Sequence, residues 1–239
     1  MIGLGTVINI AAIIAGGIVG MTIGRFVTEK IQDALIICCG VSTMFIAISG
    51  ALKNMFVIDN GNISTQGEMM MIITLCLGTL IGEICDFTGK LENFGEWLKV
   101  KTGNAKDTDF VNAFVTASLT VCIGAMAIVG SIQDGILLDH STLIAKSILD
   151  FIIIIAMAAA MGKGAAFSAI PVGILQGGVT LLSRVISPVM TDRALSNISL
   201  TGSVIIFCVG VNLVFDRKIR VANMLPTLVL AVVWAFLPF

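Results

Sequence analysis

Eight apolar stretches, most of them about twenty residues long, leave this chain few ways to fold. They run over about 3–24, 32–52, 68–87, 109–130, 142–161, 164–186, 196–215 and 221–239. A hydrocarbon core about 30 Å thick is crossed by roughly 20 helical residues, and a backbone inside it has only itself to hydrogen-bond. The composition agrees, with 57% hydrophobic and 12% charged residues, against roughly 25% charged in soluble domains. The expectation is an all-α fold: one integral membrane domain over 1–239, a polytopic transmembrane helix bundle. Seven or eight spans fit, because the seventh opens on polar ALSNISLTGS and the eighth is short and carries Pro226 and Pro238.

The first span lacks the basic flank of a cleaved signal peptide, so it is read as retained. Basic residues then orient the bundle. Odd-numbered loops hold Arg25, Lys30, Lys90, Lys99, Lys101, Lys106, Lys163, Arg217, Lys218 and Arg220; even-numbered ones hold Lys53, Lys146, Arg184 and Arg193. Ten against four places the odd loops in the cytoplasm, with both termini outside if the spans number eight. Within 86–107, Leu91, Phe94, Trp97 and Leu98 recur at helical spacing, which predicts an interfacial amphipathic helix over about 88–103. The other longish loop, 53–67, reads as an external turn.

Glycines four apart (Gly16, Gly20 and Gly24; Gly78 and Gly82; Gly173 and Gly177) let helix backbones approach closely. They predict a tight bundle, and the ridge on the first span leaves a homo-oligomer open. GTLIGEICDF and VGVNLVFD echo one another, the kind of pattern left by two structural repeats with a broken helix.

Several chemistries are excluded or left without support. A net charge of −1 gives no footprint for nucleic acid. The six cysteines form no CxxC pair and no metal-ligand spacing, so they read as buried small hydrophobes, and no cofactor is expected. No Ser/His/Asp set or HExxH pattern occurs, and no enzyme is expected. The partners are the lipid bilayer and a small solute or cation.

Three polar elements stand out. Asp150 lies inside LIAKSILDFIIIIAMAAAMG, one turn after Lys146. A lone carboxylate there costs about 2.5–3.5 kcal/mol on insertion scales, so it marks a site unless Lys146 merely neutralises it. Gln176 sits between Pro171 and the Gly177–Gly178 pair, which either opens the helix to a ligand or makes an ordinary kink. In GSIQDG, Gln133 and Asp134 stand between Gly130 and Gly135, reading as a helix exit or as part of a polar site. If the three elements converge, they line one pocket whose oxygens suit a proton or a hard cation. Asn9 and Asn212 are fainter candidates, better matched to hydrogen bonds between helices. His140 receives no role.

The blocks GTVINIAAIIAGGIVG, GTLIGE, CIGAMAIVGSIQDG, KSILDF, ILQGGVTLL and RVANMLP resemble those of an uncharacterised bacterial inner-membrane family, the YqgA/YdfK-like domain-of-unknown-function group, nearly end to end. The resemblance implies a multi-pass protein of the bacterial cytoplasmic membrane and carries over no activity. On the residues, the expected function is a secondary transporter of an ion or small solute, coupled to protons or sodium. An ion channel and a non-transporting scaffold or sensor are the alternatives.

Overall fold

A computed structural model describes residues 1–26, 28–59, 62–122, 125–215 and 219–238; Arg217 and Lys218 of the loop tally lie outside them. The fold is an all-α polytopic bundle. Its helices are α1 (Leu4–Gly24), α2 (Glu29–Met55), α3 (Glu68–Cys85), α4 (Phe87–Lys101), α5 (Phe110–Cys122), α6 (Ala125–Leu137), α7 (Ser141–Met161), α8 (Ala169–Leu181), α9 (Ser183–Ile186), α10 (Asp192–Phe215) and α11 (Pro226–Trp234). Short 3-10 turns precede α8 (Lys163–Ser168) and α11 (Val221–Met224). Phe56–Asp59 and Asn62–Thr65 pair as an antiparallel hairpin where the sequence suggested only a turn.

Among the described residues, six helical segments are long and apolar enough to cross a membrane, and α5 with α6, whose axes differ by 62°, makes a seventh when that bent pair is counted as one span. Val221–Trp234 is apolar but shorter. The surface helps define the class: large side chains such as Phe45 and Ile152 are well exposed, as suits helices solvated by lipid.

Glycines set the packing, since lipid supplies no hydrophobic drive for helices to associate. Along the α1–α7 contact, a Cβ on Gly16 would sit 2.8 Å from the Phe151 carbonyl, and one on Gly24 would sit 2.8 Å from that of Ala159. Gly40 and Gly210 join α2 to α10, and Gly78 lies against Thr227 of α11. Ile13, Ala117, Val121, Ile154, Met157 and Val172 form a core where α1, α5, α7 and α8 meet. On α4, Leu98 is buried with Phe110 and Phe114, while Trp97 faces outward and stacks on Phe94.

Four expectations need correction. GSIQDG lies within α6, which runs unbroken through it: Gly130 abuts Leu143 and Gly135 abuts Ser183, so these glycines serve close packing. Nor does α8 open at Gln176. Pro171 falls in its first turn, where backbone N–H groups have no helical acceptor to lose. Lys146 is not a loop charge but a buried residue of α7. Cys38, Cys76 and Cys85 are exposed on their helices; a thiol is apolar enough for a lipid-facing surface.

Candidate functional site

The carboxylate of Asp150 is 3% exposed and lies between the second and third turns of α7. Lys146 Nζ donates to both of its oxygens, at 2.7 Å to Oδ1 and 2.6 Å to Oδ2. The same ammonium donates to the Val121 carbonyl at 2.8 Å. Val121 lies on α5, so the ammonium reaches the backbone of a second helix. Lys146 therefore joins a carboxylate of α7 to the main chain of α5 inside the bundle.

Asn9 completes the cluster from α1. Its Nδ2 donates to Asp150 Oδ2 at 3.0 Å and to Gln176 Oε1 of α8 at 3.2 Å. Both amides are wholly buried. Asn9 Oδ1 and Gln176 Nε2 have no hydrogen-bond partner among the described residues. Three side chains from three helices, Asn9, Lys146 and Gln176, thus gather about one acid, and the cluster combines both charges with adaptable amides.

A second buried acid lies near the start of α1. Asp134 is 0% exposed. Its Oδ1 accepts from the Gly3 backbone N–H at 3.1 Å, its Oδ2 accepts from that of Gly5 at 3.0 Å, and His140 Nδ1 lies 2.9 Å from Oδ1. Backbone N–H groups at a helix N-terminus attract an anion through unsatisfied donors and dipole alike. Leu138, at φ 56°, turns the chain after α6 and returns His140 toward Asp134. Among the cysteines and acids outside the spans, Asp139 has its carboxyl held below the usual range, chiefly by the Ser141 backbone N–H.

The polar elements of the sequence are therefore brought together only in part. Asp150, Lys146, Gln176 and Asn9 meet. Asp134 forms its own site with His140, and Gln133 accepts from Thr142 Oγ1 at 2.7 Å, so the single shared pocket is corrected to two separate clusters. Both touch α1, at Gly3–Gly5 and at Asn9. Asn212 is remote from either: it clasps the backbone N–H and carbonyl of Ile219 at 3.0 and 2.8 Å. It also lines a cavity of about 1010 Å³ with Asp33, Glu92, Asn112 and Arg220. An adjoining cavity of about 600 Å³ shares Asp33 and Asn112 and adds Arg25 and Lys163.

Sequence reasoning missed the contact of His140 with Asp134 and overlooked the buried hydroxyls of Thr6, Ser131 and Thr180, which have no partners among the described residues; Asn9 bonds between helices, as its setting in the sequence indicated. Helical spacing held the signal: Thr6 precedes Asn9 by one turn, Ser131 precedes Asp134, and Thr180 follows Gln176. Among the described residues, no group of three or more His, Cys, Asp or Glu gathers as a metal would require.

The family described as "Protein of unknown function (DUF554)" matches residues 4–236. The "Uncharacterized protein YqgA" of Escherichia coli (strain K12) is 26% identical over 235 residues, covering 95% of this chain and 94% of that protein. The "Uncharacterized membrane protein YdfK" of Bacillus subtilis (strain 168) is 23% identical over 232 residues, covering 97% and 95%. No solved structure matches.

Proposed function

The chain belongs to the DUF554 family, and on that premise we propose that it is a secondary transporter of an ion or small solute, with Asp150 as the group that binds the coupling proton or cation. One observation carries the reading. Lys146 holds Asp150 and, at the same time, the Val121 carbonyl of α5. Discontinuous helices whose ends meet charges at mid-membrane are the usual way transporters build a site that opens to either side. When a proton or cation takes the carboxylate, Lys146 loses its counter-charge. Its remaining hold on Val121 then links occupancy to the position of α5, whose axis departs from that of α6 by 62°. Asn9 and Gln176 tie the event to α1 and α8.

The same reading sets the protein in the bacterial cytoplasmic membrane with its odd-numbered loops inside. In support, Arg25, Lys163 and Arg220 collect around the two adjoining cavities. The charged rim of those cavities forms the mouth of the inward-facing side.

The closed contact between Lys146 and Asp150 favours a second reading, a scaffold in which the pair only neutralises itself. The two separate in proteoliposomes of verified orientation under imposed proton and sodium gradients. Asp150→Asn, nearly isosteric, abolishes gradient-driven uptake by a transporter even where melting shows the protein still folded, whereas in a scaffold it alters stability alone. If the wild-type protein moves nothing that Asp150→Asn fails to move, the transport reading is dropped.

A further inference from the structure

The larger cavity, of about 1010 Å³, is lined by two acids that no base neutralises. Asp33 stands in the second turn of α2, where the two cavities meet, and Glu92 stands on α4. Among the described residues, neither takes part in a hydrogen bond or an ion pair. The bases nearby are engaged or lie elsewhere. Arg220, on the same wall, donates to Glu83 at 2.6 Å and also to Asp86, so its one charge faces two carboxylates. Arg25 and Lys163 line the smaller cavity, and Lys163 is 3.7 Å from Asp107. The described part of the larger cavity therefore carries an excess of negative charge. Much of the remaining wall is apolar: Val115, Leu119, Val209, Leu213, Val221 and Ala222. Thr88 lines it too, and its Oγ1 is buried with no hydrogen-bond partner among the described residues.

We propose that this cavity binds the transported solute, and that the solute is an organic cation with an apolar body. A cleft lined by one sign of charge, with walls of low dielectric, concentrates ions of the opposite sign. An anion would meet Asp33 and Glu92 with no free base to receive it, and a neutral solute would leave both acids unanswered. A bare metal ion fits poorly as well, because no group of three or more His, Cys, Asp or Glu gathers among the described residues. Apolar walls with a few polar groups are the usual lining of a small-molecule site, and only a ligand with hydrocarbon surface gains from covering them. Helix α5 joins the cavity to the Asp150 cluster. Its Asn112, Val115, Thr116 and Leu119 line the wall, while Val121, further along the same helix, accepts from Lys146. A solute held against α5 thus bears on the helix that the coupling pair also holds. The inference rests on the transport reading for the role of the cavity, names its substrate class, and is tested by binding alone.

Purified full-length protein in detergent is dialysed to equilibrium against radiolabelled tetraphenylphosphonium and, in parallel, against tetraphenylborate, an anion of the same shape, with protein-free micelles as the blank. Saturable binding of the phosphonium and none of the borate is expected. Affinity for the phosphonium should fall roughly tenfold or more when Asp33→Asn and Glu92→Gln are combined. Glu96→Gln removes an equal charge from α4 at an exposed position outside the cavity and should bind as wild type does. Asp33 and Glu92 are themselves exposed, so the double variant keeps the packing of the bundle, and melting checks this. Equal binding of the two ions overturns the site, as does wild-type affinity in the double variant. Gradient-driven uptake of another solute without phosphonium binding overturns this inference and leaves the transport reading standing. Phosphonium binding without any gradient-driven uptake retains the site and removes the transport reading.

Discussion

Lys146 and Asp150 lie one turn apart on α7, with the ammonium 2.6 and 2.7 Å from the two carboxylate oxygens and 2.8 Å from the Val121 carbonyl. A lysine placed before an acid is the weaker order for such a pair on a helix. What keeps it closed is the surroundings: Asn9 from one side, the Val121 carbonyl of α5 from the other, and almost no solvent.

Breaking this pair by halves is costly. Lys146→Met leaves a buried carboxylate without its cation, and Asp150→Asn leaves a buried ammonium without its anion. Each is expected to destabilise the protein by about 3–5 kcal/mol, while the double variant loses much less than the sum. Thermal melting of the four proteins in detergent measures the coupling, and strict additivity would show that the charges do not support one another.

Asn9→Leu removes both donors that join α1 to Asp150 and Gln176 while keeping the side-chain volume close. Hydrogen bonds to charged groups are worth about 1.5–3 kcal/mol, so a lower Tm is expected together with a tenfold or larger loss of gradient-driven uptake. Uptake at the wild-type rate would remove Asn9 from the working site.

Glycines on the two sides of the bundle are expected to respond oppositely. At Gly20 a Cβ would drive into the Ile155 carbonyl and Ala158, so Gly20→Ala pushes α1 from α7 and costs about 1–3 kcal/mol. At Gly177 nothing stands within 4 Å, and Gly177→Ala gains up to about 1 kcal/mol of helix propensity. Melting temperatures that fall for both would mean that α8 is packed more tightly than described.

Asp139 supplies a pH signature outside the spans. The Ser141 backbone N–H donates to its Oδ1 at 3.0 Å, and this bond, then the Ser141 hydroxyl, lowers the carboxyl's pKa, with burial opposing slightly and His140 adding to the lowering. A lowered folded pKa contributes stability that is present above the unfolded value of about 3.9 and is lost as pH falls through the folded one. Hydrogen exchange at Ser141 should therefore be faster in Asp139→Ala than in wild type at pH 6, and the difference should vanish at strongly acid pH. A difference that persists there would assign the protection to something else.

Much of the architecture was legible in the residues. Apolar length marked the helices, and Asp150 announced itself by its cost in a hydrocarbon setting. The breaks were misplaced because glycine and proline have two uses. Gly130 and Gly135 of α6 sit on packed faces and Pro171 lies in the first turn of α8, while Gly177 and Gly178 meet no neighbour and leave that helix continuous. Asn9 hydrogen-bonds between helices, as its setting indicated. An asparagine in a span looks the same whether it joins two helices or serves an acid, and the choice depends on what faces it.

From the sequence alone came the membrane class, the all-α form and the acids that demand a partner. Those follow from local physics: hydrocarbon offers no hydrogen bonds, so each segment must pair its own backbone and each charge must find relief. Only the tertiary structure decided which partner each acid takes. Asn9 reaches Asp150 across 141 residues of chain, and Gly3 reaches Asp134 across 131. Those meetings depend on the register in which glycine-faced helices slide together, and that register belongs to the assembled bundle and to none of its segments.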